Sequence, residues 1–188
     1  MKFVSGKVLK EFSVKGRKIK FRFLKKNESA KEMMEYINKV VTEENNWLAM
    51  VDTTTLEGEK KWLKGKIEEQ GGRNKYIVVD VGDKVMGTAD IRFDVQGNAH
   101  TVSFGISLDD EIRGMGIGTK LLKLAMKIAK DIGAEIFYIS TYKGNERALH
   151  VYKDKLGFKE CGVKPMLRKR KVKGKNVYDD GILLWRKA

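Results

Sequence analysis

The sequence predicts an α/β fold of the mixed-sheet (α+β) kind, an antiparallel meander joined to one parallel strand and flanked by about four helices. Three observations predict it. Apolar runs at 76–81, 85–93 and 101–108 are separated by the turn signals Gly82-Asp83 and Gly97-Asn98, the pattern of consecutive antiparallel strands. A glycine-rich segment then leads into Leu121, Leu122, Ala125, Ile128 and Ala129 at helical spacing, and a further strand follows at 135–141. A right-handed crossover through that helix places strand 135–141 parallel beside strand 101–108.

The remaining elements follow from local signals. Ile19, Phe21 and Phe23 alternate with Lys18, Lys20 and Arg22, which marks a half-buried strand. Ser29 with Glu32 reads as a capping box, and Met33, Tyr36, Ile37 and Val40 continue as a helix. Thr54 with Glu57 reads as a second capping box before Trp62, Leu63 and Ile67, and Gln70-Gly71-Gly72 ends that helix. Helices are expected at 119–130 and 145–155, and a last strand at 177–185. No repeat and no proline- or serine-rich linker divides the chain. The expectation is one domain over 1–188, with N-terminal strands (1–24), a helical pair (28–70), a central core (75–160) and a C-terminal hairpin (161–188).

Composition bounds the function. Hydrophobic residues make up 41% and charged residues 34%, the balance of a globular protein. No apolar run approaches the roughly 20 residues of a membrane span, and the N-terminus lacks a signal-peptide core, so a cytoplasmic protein is expected. One cysteine, Cys161, rules out an internal disulfide, and with only His100 and His150 beside it no metal site is expected. The net charge of +14 (39 Lys and Arg against 25 Asp and Glu) suits a nucleic acid or a phosphorylated ligand. It equally suits a solvated Lys/Glu-rich surface.

The segment Arg113-Gly114-Met115-Gly116-Ile117-Gly118 carries the sharpest chemistry. Glycines at every second position let the backbone approach a ligand closely. Free N–H groups at the start of the following helix, Thr119 included, then face an anion, helped by the helix dipole and the charge of Arg113. A dinucleotide fingerprint would need glycine at 119, where Thr stands, and Gly118-Thr119-Lys120 breaks the order of a Walker loop. A bare strand-to-helix turn would use the same glycines without a ligand.

Arg113-x-x-Gly116-x-Gly118 matches the [QR]-x-x-G-x-[GA] signature of the GNAT superfamily of N-acetyltransferases, which the chain resembles from about 75 to 185. Asn145-x-x-Ala148-x-x-x-Tyr152 with Leu156-Gly157-Phe158 is similar to that superfamily's second motif, and Phe104–Leu108 to its pantetheine-facing strand. The segment 174–184 resembles the closing hairpin of the ribosomal-protein and small-amine branch.

The resemblance implies acetyl-CoA as cosubstrate, no metal, and direct transfer to a primary amine in a ternary complex. It implies that strand 101–108 splays from strand 135–141 and that pantetheine lies in the slot, paired with backbone around Ile106, Ser107 and Leu108. The pyrophosphate would rest on residues 113–119, and Asn145 and Arg147 would adjoin the cofactor. The Leu108 N–H becomes the candidate for polarising the thioester carbonyl. Tyr152 becomes the candidate acid for the departing sulfur, although full proton transfer from a phenol near pKa 10 to a thiolate near 8.5 runs uphill by roughly 2 kcal/mol. From spacing alone, Tyr152 would read as a core aromatic beside Leu149 and Leu156.

No base is evident. Ser140 and Thr141 stand where some family members carry a glutamate, and Glu111, beside Asp109 and Asp110, is the nearest carboxylate to the loop. His100 lies about 25 Å from Leu108 along an extended strand, and His150 faces elsewhere on its helix than Tyr152. A water relay or an amine that arrives neutral is therefore expected in place of a dedicated base. The acceptor is expected between Asn45–Thr55 and the basic stretch 165–176, with Trp47 and Trp62 as candidate walls. It stays open among a protein N-terminus, a lysine, a polyamine and another small amine. A homodimer is compatible with the chain, and nucleic acid is not required. Two rival readings remain: a non-catalytic CoA-binding regulator, and a basic nucleic-acid-associated protein, for which no helix-turn-helix or aromatic RNA-binding signature is present.

Overall fold

The computed structural model describes residues 3–44 and 46–188. Eight strands form one sheet: β1 (Val8–Val14), β2 (Arg17–Phe23), β3 (Lys75–Val81), β4 (Lys84–Phe93), β5 (Thr101–Leu108), β6 (Ile136–Tyr142), β7 (Lys159–Val172) and β8 (Lys175–Lys187). Their spatial order is β1-β2-β3-β4-β5-β6-β8-β7, with every neighbour antiparallel except β5 and β6. The meander and the parallel crossover stand as the sequence predicts.

Helices α1 (Ala30–Val41) and α2 (Leu56–Glu69) cover one face of the sheet. On that side Leu24, Met33, Tyr36, Leu63, Tyr76 and Val78 form a buried cluster. Helices α3 (Ile117–Asp131) and α4 (Glu146–His150, continued by a wider turn to Lys155) cover the other. All five apolar positions expected to face inward on α3 are buried. At about 1.5–3 kcal/mol for each fully buried Leu or Ile, that stripe fixes the helix against β4 and β5.

Three boundaries differ from the sequence reading. The α2 cap is Thr55, whose hydroxyl accepts the Gly58 N–H at 3.1 Å, and not Thr54. Thr54 is occupied instead by Asn38, which exchanges side-chain hydrogen bonds with its backbone at 2.8 and 2.9 Å. Helix α3 begins at Ile117, two residues earlier than expected, because Gly116 in the left-handed region (φ 73°) already turns the chain into it. The closing strand is longer than 177–185, since it pairs with a 14-residue edge strand, β7. Lysines along β7 hide that partner from any alternation test.

Candidate functional site

The parallel pairing of β5 with β6 stops halfway. Thr101–Phe104 pair with Ile136–Ile139. Beyond them β5 pairs only with β4, and β6 only with β8, so the sheet opens between Gly105–Leu108 and Ser140–Tyr142. Strand N–H groups alternate in direction. The Asp109 N–H bonds to Met86 O at 2.9 Å on the β4 side, so those of Leu108 and Ile106 point into the gap. A cavity of about 330 Å³ occupies it. Ile106, Phe104 and Tyr152 line it from the α3–α4 side, and Thr88, Asp90 and Tyr76 from the α1–α2 side, so it runs through the split in the sheet.

The glycine loop stands at the end of β5. Gly114 and Gly116 both take positive φ, 74° and 73°, where a side chain would be strained. Gly118 has ordinary helical geometry and serves differently. A Cβ there would press on the Leu108 side chain at 3.3 Å, so its bareness lets α3 start directly behind the gap. Among the described residues, none of the N–H groups of 114–119 has a protein acceptor. That cluster at a helix start is a ready anion seat. Arg113 is turned away from it: its guanidinium donates to Leu108 O (2.8 Å from Nε) and pairs with Glu43, Nη2 lying 2.9 Å from Oε1. The charge expected at the phosphates therefore clamps the end of β5 to the segment after α1.

Tyr152 lines the cavity, and its hydroxyl has no hydrogen-bond partner among the described residues. Burial pushes the phenol well above its ordinary pKa, so it is a protonated donor at neutral pH. Asn145 caps α4 by accepting the Ala148 N–H at 3.3 Å, and it donates to Thr141 Oγ1 at 3.1 Å. Arg147 is exposed, as are the neighbouring lysines Lys120 and Lys123. Glu111 does not line the cavity. Lys39 of α1 holds both Glu111 (2.8 Å) and Asp109 (3.0 Å), so that base candidate is spent in a surface ion network. His100 is exposed, and His150 pairs with Asp154 at 2.6 Å on the outside of α4.

Thr88, Asp90 and Arg92 line the cavity and escape a sequence reading. Tyr36 of α1 reaches Ser107 Oγ (2.6 Å), which lies 3.0 Å from Thr88 Oγ1, a chain of three hydroxyls across the sheet. Asp90 on β4 is the one carboxylate among the lining residues and Arg92 the one cation. Both occupy alternate positions that read as a solvent face; the covering helices leave Asp90 half-buried, while Arg92 stays exposed. Trp47 and Trp62 do wall the cavity, with Leu48, Ala49 and Leu167. Asn45, one end of the expected acceptor segment, lies outside the described residues. The basic stretch is partly internal: buried Arg168 donates to Asn46 O at 2.8 Å, and Arg170 pairs with Asp179 at 2.8 Å. Desolvation lowers the Arg168 pKa.

A split parallel pair, an N–H-rich loop and a through-sheet cavity define the class of acyl-CoA-binding N-acyltransferase folds. The chain belongs to the acetyltransferase (GNAT) family, whose model matches residues 37–158. A Sulfurisphaera tokodaii protein named N-alpha-acetyltransferase is 40% identical over 80 residues, 42% of this chain and 44% of that protein. The matched stretch thus spans less than half of that relative. Among solved structures, a GNAT-family acetyltransferase from Streptococcus pneumoniae superposes with TM-score 0.76 at 19% identity, covering 90% of this chain and 99% of the other. A Sinorhizobium meliloti phosphinothricin acetyltransferase in complex with acetyl-CoA gives 0.72 at 18% identity, with 90% and 88% covered. At such identities the likeness is one of fold. No group of three or more metal-ligating side chains occurs among the described residues, and no described helix is long and apolar enough to cross a membrane.

Proposed function

We propose that this chain transfers an acetyl group from acetyl-CoA to a primary amine by direct attack within a ternary complex. The observation that carries the reading is the row of unpartnered N–H groups at 114–119, set at the mouth of a split in the sheet whose edge also presents the Ile106 and Leu108 N–H groups. One end suits a pyrophosphate, and the other suits an extended amide chain ending in a thioester. In this reading the Leu108 N–H polarises the thioester carbonyl, and Tyr152 hydrogen-bonds the departing sulfur. Ser107 and Asn145 order the walls, and the amine enters from the side of Trp47 and Trp62. The name of the Sulfurisphaera relative favours the α-amine of a polypeptide N-terminus as acceptor.

The test is titration with acetyl-CoA followed by thiol release with peptides bearing free α-amines. Acetyl-CoA affinity with amine-dependent thiol release is the expected result. Binding without turnover on any amine would favour a regulatory CoA-binding role. Salt-dependent retention on RNA without acetyl-CoA binding would favour the nucleic-acid reading.

A further inference from the structure

Asp90 is the one acid among the residues lining the cavity, and its position is built rather than incidental. It projects from the α1–α2 face of β4, opposite Gly105 in the β4–β5 register. The Gly105 N–H donates to its Oδ1 at 2.6 Å. Gly105 lacks the atom that would evict it, since a Cβ there would lie 2.7 Å from Oδ1 and 2.9 Å from Oδ2. The carboxylate therefore lies over the point at which β5 leaves β6, one residue from Ile106, whose N–H faces the gap. With Oδ1 engaged, Oδ2 has no hydrogen-bond partner among the described residues.

We infer that Asp90 is the proton acceptor of the acetyl transfer, and that the acceptor class is a cationic alkyl amine, which must lose a proton before it can attack. This rests on the proposed acetyltransferase reading and supplies the dedicated base that the sequence lacked. The ammonium binds against Oδ2, one N–H bond breaks, and its proton passes to the carboxylate. The nitrogen lone pair forms the C–N bond, and the C–S bond then breaks with its electrons on sulfur. The second amine proton ends on the thiol, with Tyr152 hydrogen-bonding the sulfur meanwhile. Asp90 returns its proton to solvent, so one proton is released for each acetyl group transferred.

The charged surroundings suit this role. Burial raises the Asp90 pKa, while Arg92 (Nε 3.4 Å from Oδ1), the Gly105 N–H and Lys66 of α2 oppose that rise. Glu69 of α2 adds to it, and Tyr76 of β3 remains a neutral phenol because burial and both acids hold it protonated. The result is a carboxylate more basic than a surface aspartate, which is the direction that proton abstraction needs.

The decisive measurement compares two amines on Asp90→Asn: a tetrapeptide amide with a free α-amine, and p-anisidine, an arylamine already neutral at pH 7. Acetyl-CoA binding, read by calorimetry, is expected to be unchanged. For the peptide, kcat/KM at pH 7 should fall by about 10²-fold or more. Its acidic limb should move up from the carboxylate to the peptide amine's own ionisation near pH 8. The arylamine, where it is turned over, should lose no more than about threefold. Gly105→Ala should reproduce the selective loss by displacing the carboxylate, with acetyl-CoA affinity retained. Equal slowing of both amines, or an acidic limb unmoved in Asp90→Asn, would overturn the assignment of Asp90. A wild-type protein that binds acetyl-CoA yet acetylates neither amine would instead overturn the acetyltransferase reading beneath it.

Discussion

The two ends of the proposed site are built by different means. The donor end, from β5 through the glycine loop to α3, presents backbone N–H groups within 14 consecutive residues, 106–119. The acceptor end presents side chains from four separated places: Trp47 after α1, Trp62 on α2, Asp90 on β4 and Leu167 on β7. A pyrophosphate and an amide chain look alike in every acetyl-CoA, so main-chain geometry suffices to hold them. An amine has to be selected by its shape and charge, and that takes side chains, which can change while the backbone stays fixed.

The sharpest way to break the comparison is Gly116→Asp. It puts a negative charge among the 114–119 N–H groups and a side chain at φ 73°, with open space around it. Acetyl-CoA affinity should fall by at least about 10²-fold in calorimetry, the Coulombic cost of a charge beside a bound pyrophosphate. The melting temperature should fall by only a few degrees, since Asp tolerates the left-handed region comparatively well. Unchanged affinity would remove the loop from its assigned role.

Tyr152→Phe tests the join between the two ends. The hydroxyl has no hydrogen-bond partner among the described residues to lose, so stability should hold or rise slightly, whereas kcat should drop by about 10–100-fold with acetyl-CoA affinity intact. Stopped-flow thiol release would read it.

Arg168→Met addresses the acceptor end alone. This buried guanidinium tethers the segment after α1 through Asn46 O, while Asp179 keeps Arg170 as a partner. The amine KM should rise several-fold with acetyl-CoA affinity unchanged. A parallel loss of acetyl-CoA binding would mean that the two ends are not separable.

The smallest expected effect concerns the α2 cap. Thr55→Ala should cost about 1 kcal/mol, or roughly 2–4 °C in melting temperature. Thr54→Ala should cost less, because Asn38 bonds to its backbone and not to its hydroxyl.

The same contrast explains what could be read in advance. The meander, the crossover, the inward stripe of α3 and the loop were legible because each rests on periodicity or on glycines in one short stretch. The α2 cap falls one residue beyond Thr54 because two adjacent threonines carry the same signal, and only the contact with Asn38 separates them. The C-terminal hairpin is legible, but the extent of its first arm, β7, is not, because its lysines line an edge and show no alternation.

By itself, the sequence determined the order of the elements, the parallel crossover and the place of the glycine loop, since hydrogen bonding and side-chain period are local properties of the chain. The tertiary structure decided which way Arg113 turns, that Glu111 is spent on Lys39, and that Asp90 stands half-buried at the gap. Those outcomes depend on which distant element arrives beside each side chain. In Asp90's case, α1 and α2 cover a face of β4 that in isolation reads as exposed to water.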